Sequence, residues 1–275
     1  MTGLWMTAKL DLAESFRARW FLVYSLVFGG ALVLLLLSGL AESRVMGFSG
    51  LSRILIIYVQ LCMAILPVFI LLTTVRSVAG DREAGVIEYL LALPVSLSGW
   101  YWGKLTGRFV VVFAPVFLAM AAAAVFAALR GYGVPWTAFA LNAVLLVSLI
   151  WCFLGIGILI SSLTHSSDIA QGAAFVVWLT LLLFIDVILL GIMIREQIPA
   201  ELVIGVSLMN PLQAFRVASM TIFDPALMLM GPSSHIILDA LGVIGVQAYG
   251  IIYPVVLGSI SAMIGYRVFR RGDLI

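Results

Sequence analysis

Six long apolar stretches, parted by short polar segments, set the frame of this chain. They run approximately over Trp20–Leu40, Ile54–Val75, Leu105–Leu129, Trp136–Ser161, Ala170–Ile194 and Gln247–Phe269. Each meets the roughly 17–25 apolar residues that a helix needs to cross a bilayer. Strict period-2 alternation is absent, and an isolated strand in lipid cannot satisfy its own backbone. Both points predict helices rather than a barrel. Ahead of the first stretch, Leu4, Ala8, Leu12 and Phe16 repeat every four residues, with Thr7, Asp11 and Glu14 on another face. That pattern over 4–19 predicts a helix in the headgroup plane; the alternative is a plain extension of the first span.

The polar segments differ in length. Ala41–Arg53 and Arg130–Pro135 are short turns, and Ser162–Ile169 is a short Ser/Thr/His/Asp turn containing His165, read as a solvated turn residue. Residues 195–246 hold Pro199, Asn210-Pro211, Asp224-Pro225 and Gly231-Pro232. Loops that long usually carry structure of their own. Its apolar pieces Leu202–Met209 and Ala226–Met230 are too short to span, which predicts re-entrant or interfacial helices. Gly29-Gly30, Gly155, Gly157 and Gly172 permit close helix approach, and Pro67, Pro115 and Pro254 can kink their spans.

Composition agrees with this reading. Of 275 residues, 64% are hydrophobic and 10% charged, with mean hydropathy +1.21. The fold class is an all-α polytopic membrane protein, and the bilayer is its main solvent. A net charge of +2 gives no reason to expect nucleic acid. Cys62 and Cys152 lie within apolar runs, outside any C-x-x-C pair, and read as small buried hydrophobes. The N-terminus, with Lys9, Asp11, Glu14, Arg17 and Arg19 ahead of a long apolar run, does not read as a cleavable signal. Basic residues set the orientation. With the N-terminus inside, Lys9, Arg17, Arg19, Arg76, Arg82, Lys104, Arg108, Arg267, Arg270 and Arg271 are inside; Arg44, Arg53, Arg130, Arg195 and Arg216 are outside. This predicts both termini in the cytoplasm.

The inner segment 80–104, GDREAGVIEYLLALPVSLSGWYWGK, carries the most chemistry. Asp81, Arg82 and Glu83 are expected to open a helix, where acids suit the positive end. Val86, Ile87, Leu90 and Leu91 follow at helical spacing, with Glu88 turned away. Pro94 ends the helix, and Ser96 or Ser98 caps the next. Trp100, Tyr101 and Trp102 form an expected aromatic belt, and Lys104 marks the membrane boundary. A loop that only returns the chain can be far shorter, so a docking helix for an aqueous partner is the better account.

Ionisable chemistry inside the spans is sparse. Asp186, in the fifth stretch, is the evident acid, with Asn142 and Gln171 as candidate polar partners. It is either a pathway or proton group or a helix–helix anchor. Met209, Met220, Met228 and Met230 offer thioethers suited to Cu(I), but they fit gap-filling better, and no metal site is assigned. Gly99…Gly103-Lys104-Leu105 departs from a phosphate loop in spacing and in lacking Ser/Thr after the lysine. No nucleotide site is therefore read in this chain, and no cofactor is expected in it.

The residues Asp81, Arg82, Glu83, Gly85, Glu88, Leu90, Leu91, Pro94, Ser96, Gly103 and Lys104 resemble the coupling-helix region of ABC-2 type permeases, the membrane halves of ATP-driven exporters. Val86 stands where the family often has threonine. Asn210–Arg216 and Ile185–Gly191 resemble the permeases of nitrous oxide reductase maturation transporters. The resemblance covers the whole chain and implies a non-catalytic homodimeric permease in the bacterial inner membrane. Its implied partners are a cytoplasmic ABC ATPase, a periplasmic solenoid protein and membrane lipid. Asp81, Arg82, Glu83, Gly85, Val86, Glu88, Leu90, Leu91 and Pro94 would then couple to the ATPase. Asn210, Gln213 and Arg216 would face an outer partner. The implied role is assembly of the copper centres of nitrous oxide reductase. The alternatives are a secondary carrier, a membrane scaffold, or an ABC-2 exporter of lipid, drug or heme.

Overall fold

In a computed structural model, described for residues 2–17, 19–37, 50–92, 96–131, 134–184, 199–225, 227 and 233–272, every element is a helix. They are α1 (Thr2–Arg17), α2 (Arg19–Leu37), α3 (Gly50–Thr74), α4 (Arg76–Glu83), α5 (Val86–Ala92), α6 (Leu97–Leu129) and α7 (Trp136–Leu163). After these come α8 (Ser167–Leu179), which runs into a single π-helical turn (Thr180–Phe184), then α9 (Ala200–Leu208), α10 (Pro211–Phe223) and α11 (Ser233–Gly272). Among the described residues, four stretches are long and apolar enough to cross a membrane: Ile57–Glu83, Leu97–Leu129, Trp136–Leu163 and Ser234–Arg271. A fifth is obtained if α9 and α10, bent by 102° at their junction, count as one broken span. Residues 20–37 of the expected first span lie in helix α2, which is not among these stretches; residues 38–40 lie outside the described residues. Of the expected fifth, the described part is α8 with its π turn; residues 185–194, Asp186 among them, lie outside the described residues, as does Pro94.

Helix α7 is the axis of the bundle. Leu145, Leu146, Leu149, Ile150, Phe153 and Leu154 are buried along it, and α3, α6, α8, α10 and α11 all pack on it. Its closest neighbour is α11. A Cβ on Gly258 would lie 2.6 Å from the Trp151 carbonyl oxygen and 2.7 Å from Cys152 Cα, and one on Gly155 would collide with the Gly258 carbonyl. The two helices therefore meet backbone to backbone, the approach that small residues permit in lipid. Ser148 Oγ donates to the Gly250 carbonyl (3.1 Å) and Trp151 Nε1 to Ser259 Oγ (3.0 Å), pinning the register. Gly157 sits close against Thr74 of α3. Gly29, Gly30 and Gly172 face open space and do not serve close packing. Cys62 and Cys152 are free and buried.

Two of the expected apolar stretches lie within longer helices. Helix α6 begins at Leu97, where the expected Ser96 cap places it: Ser96 Oγ accepts the Gly99 amide (3.2 Å), and the apolar stretch from Leu105 continues the same helix. Trp100 and Tyr101 consequently lie inside α6 and are buried against Phe269 of α11, with ring centroids 5.3 and 5.7 Å away, instead of forming a lipid-facing belt. Helix α11 begins at Ser233 and not near Gln247; its only break is Gly242, at φ 64°, a backbone conformation natural to glycine.

Helix α1 also faces the protein differently from its sequence pattern. Thr7, Ala8 and Asp11 press on Gly103 and Gly107 of α6, where an added Cβ would lie 2.8 Å from Thr7 Cβ and 3.2 Å from Asp11 Cβ. Trp5, Met6 and Leu10 are exposed. The buried side joins Thr7 and Asp11 of the polar face to Ala8 of the apolar repeat, because these small residues admit a close approach and Asp11 finds an arginine on α6.

Candidate functional site

The 80–104 segment does not open a helix at Asp81. Asp81, Arg82 and Glu83 close α4: Ala84 N donates to the Gly80 carbonyl (2.9 Å) and Gly85 N to the Arg82 carbonyl (3.1 Å), with Gly85 at φ 70°. Glycine just past the last turn is a common helix stop because it takes positive φ without strain. The next helix, α5, starts at Val86.

Each of the three charged residues is then latched to a different helix. Asp81 accepts from Lys104 of α6 in a short contact. Arg82 Nη1 donates to the Thr164 carbonyl (2.7 Å) at the end of α7. Glu83 Oε2 accepts from both Ser167 N (3.1 Å) and Ser167 Oγ (2.5 Å), placing a carboxylate on the positive end of α8. The triad thus ties α4 to α6, α7 and α8.

The α3–α4 junction at Val75 is the second part of the site. A turn there disturbs the helical hydrogen-bond ladder, and neighbouring helices supply partners. Ser161 of α7 is buried in the junction: its Oγ donates to the Val75 carbonyl (2.6 Å) and accepts the Val78 and Ala79 amides (3.0 Å each). Lys104 Nζ donates to the Ser77 carbonyl (2.8 Å) and lies 4.6 Å from the Trp100 ring centre. Arg108, one turn further along α6, donates to the Thr73 carbonyl and lies 3.7 Å from Asp11 of α1. Two acids and two bases, Asp11, Arg108, Lys104 and Asp81, thereby join α1, α6 and α4. With its amide oriented to suit the surrounding donors, Gln171 Oε1 accepts from Arg76 Nε and Nη2 at 2.5 and 2.7 Å.

What this latch leaves exposed is α5. Ile87 is 4% exposed and anchors it, whereas Val86 at 38%, Glu88 and Tyr89 at 76% face outward. Leu90 and Leu91 lie on the same short helix. The sequence reading of 80–104 makes Asp81, Glu83 and Glu88 a polar grip and Val86, Leu90 and Leu91 an apolar seat; the structure ties Asp81 and Glu83 to α6 and α8, leaves Val86 and Glu88 exposed, and adds Tyr89 beside them. That reading missed Asp11, Lys104, Arg108, Ser161 and Ser167 as partners. Two bases four apart in an otherwise apolar α6 were the legible signal, since such a pair needs acids or carbonyls inside the fold.

The remaining candidates are scattered. Asn142 is buried near the opposite end of α7 and donates to its own helix at the Ala138 carbonyl (2.8 Å). Gln171, at the α4 end, is separated from it by most of α7, about 32 Å for 21 residues; the two do not form one intramembrane site. Asn210 is 2% exposed, so it does not face an outer partner. It caps α10 through the Leu212 amide (3.0 Å) and donates to the Leu181 carbonyl (2.6 Å), fixing the bend after α9. Tyr249 and Tyr253 of α11 stack at 5.1 Å and donate to the Leu208 and Met209 carbonyls at the same bend. Gln213 and Arg216 are half-buried on α10.

A profile of the ABC-2 family transporter protein matches residues 5–274. The chain belongs to the ABC-2 transporter family. Two relatives bear the name "Probable ABC transporter permease protein NosY". The one from Stutzerimonas stutzeri is 25% identical over 279 residues, covering 98% of this chain and 99% of that protein. The one from Pseudomonas aeruginosa is 26% identical over 235 residues, covering 82% and 84%. Within this ABC-2 family chain, the latch and α5 occupy the segment whose residues resemble a coupling helix.

Proposed function

We propose that this ABC-2 family chain is the permease subunit of an ATP-driven transporter, and that α5 is its contact with a separate cytoplasmic ATPase. The observation that carries the reading is an exposed Val86–Glu88–Tyr89 surface on a helix whose base is tied to α6, α7 and α8 by Asp81, Arg82 and Glu83. A helix so braced passes a push to three spans at once. Exposed tyrosine flanked by an apolar residue is favourable contact chemistry, and Glu88 adds a charge that orients the docked partner.

In this reading the chain crosses the inner membrane six times with both termini in the cytoplasm, and two copies pair so that each ATPase of a pair meets one α5. ATP and Mg belong to the partner. The bend between α9 and α10 lies on the periplasmic side, where Gln213 and Arg216 approach a solenoid accessory protein. The names of the relatives, with the motifs at 185–191 and 210–216, extend the proposal to assembly of the copper centres of nitrous oxide reductase.

The test is stimulation of the co-reconstituted ATPase. Tyr89→Ala with Glu88→Lys should weaken ATPase docking on the order of thirtyfold, the scale of an interface tyrosine worth about 2 kcal/mol, while unfolding in micelles is unchanged. Charge reversal at Asp81 and Glu83 should act instead by lowering stability. Full stimulation by the Tyr89/Glu88 variant would remove α5 as the contact.

A further inference from the structure

We infer that the C-terminal half of α11 carries a binding site for one anionic phospholipid. Ile260, Met263, Ile264, Arg267, Arg270 and Arg271 are all exposed. At 100° per residue they fall within about a third of the helix circumference. The opposite face, Gly258, Ala262, Gly265 and Phe269, is buried against α7 and α6. The outward stripe is therefore fixed in direction, apolar up to Ile264 and basic from Arg267 onward. Asp273, outside the described residues, leaves the segment net basic.

That sequence of chemistry along one helix face is the chemistry of a phospholipid. From Ile260 to Arg267 the rise is about 10 Å, well within one leaflet's share of the roughly 30 Å hydrocarbon core. Acyl chains lie along Ile260, Met263 and Ile264 while the phosphate meets three guanidinium groups, which bind phosphate oxygens with planar, paired donors. Basic clusters just beyond a span attract anionic lipid. The other occupants fit less well. A soluble protein cannot follow the stripe below the headgroups. A second copy of this chain packed symmetrically on this face would set its own arginines against these.

The site is tested on the whole protein in mixed micelles of phosphatidylglycerol and phosphatidylcholine at equal amounts, with retained lipid read by native mass spectrometry. The expected result is selective retention of phosphatidylglycerol by the parent chain. Arg267→Gln/Arg270→Gln/Arg271→Gln should lower that preference on the order of a hundredfold, from roughly a factor of five per basic residue near an anionic surface. The corresponding triple lysine variant should keep most of it, which separates charge loss from a folding defect. Three results would overturn the site. One is unchanged preference in the glutamine variant. Another is displacement of the lipid by millimolar inorganic phosphate. The third is loss of ATPase co-purification by the glutamine variant, but not by the parent chain, in pure phosphatidylcholine, which would assign the arginines to a protein partner. The inference does not depend on α5 docking, since none of its readouts but the last involves the ATPase.

Discussion

Ser161→Ala is the sharpest probe of the latch. The hydroxyl serves three backbone groups at the α3–α4 junction, the Val75 carbonyl and the Val78 and Ala79 amides, in a site closed to solvent. A neutral hydrogen bond contributes ~0.5–1.5 kcal/mol net, and a buried backbone group left unpaired costs ~1–3 kcal/mol. The expected loss is therefore about 2–3 kcal/mol. Ser162→Ala is the matched control. Ser162 is also buried, but its hydroxyl donates to Ile158 of its own helix (2.8 Å), a carbonyl already served by the ladder, and the Tyr101 hydroxyl beside it keeps the Ala262 carbonyl (2.9 Å) as a partner without it. Its loss should cost no more than about 1 kcal/mol. Reversible unfolding in mixed dodecylmaltoside–SDS micelles, followed by circular dichroism, measures both. Equal losses at the two serines, or an unaffected Ser161→Ala protein, would refute the idea that α7 supplies the partners missing at Val75.

Lys104→Met should cost about 2–3 kcal/mol, below the ~3–5 kcal/mol of a fully buried pair because the Lys104 and Asp81 side chains keep 13% and 27% exposure. Adding Asp81→Leu should recover part of that loss in the same unfolding experiment, whereas strictly additive losses would mean the two side chains do not interact. Gly258→Ala places a methyl 2.6 Å from the Trp151 carbonyl oxygen and should destabilise by ~1–3 kcal/mol through overpacking. Gly29→Ala meets nothing within 4 Å and should leave the unfolding midpoint unchanged or slightly raised, a contrast that the same titration reads directly.

Long apolar runs made the helices legible, because span length in a bilayer is set by thickness alone. Ser96 was legible as a cap for an equally local reason. The partners of Asp81, Arg82 and Glu83 were not, since they lie 23, 82 and 84 residues away in the chain, each on or at the end of a different helix. The direction of that triad could have been read. Glycine two residues after an acidic-basic-acidic run is a stop signal, and Gly85 outweighed the preference of acids for a helix start. Helix α1 misled for a different reason. Trp5, Met6 and Leu10 face away from the protein, while Ala8 of the apolar repeat and Asp11 of the polar face are both buried, so small residues and not hydrophobicity mark the side turned to the core.

From Gly242 onward α11 is one continuous rod of some 30 residues, about 45 Å long. One end is clipped by Tyr249 and Tyr253 to the kink between two short helices; the other is wedged among the rings of Trp100 and Tyr101. Between them the backbone contact at Gly155 and Gly258 acts as a fulcrum with no side chain to cushion it. Such a member cannot slide or tilt at one extremity without moving the other, so the two faces of the membrane are joined by a single stiff beam and not by a chain of soft side-chain contacts.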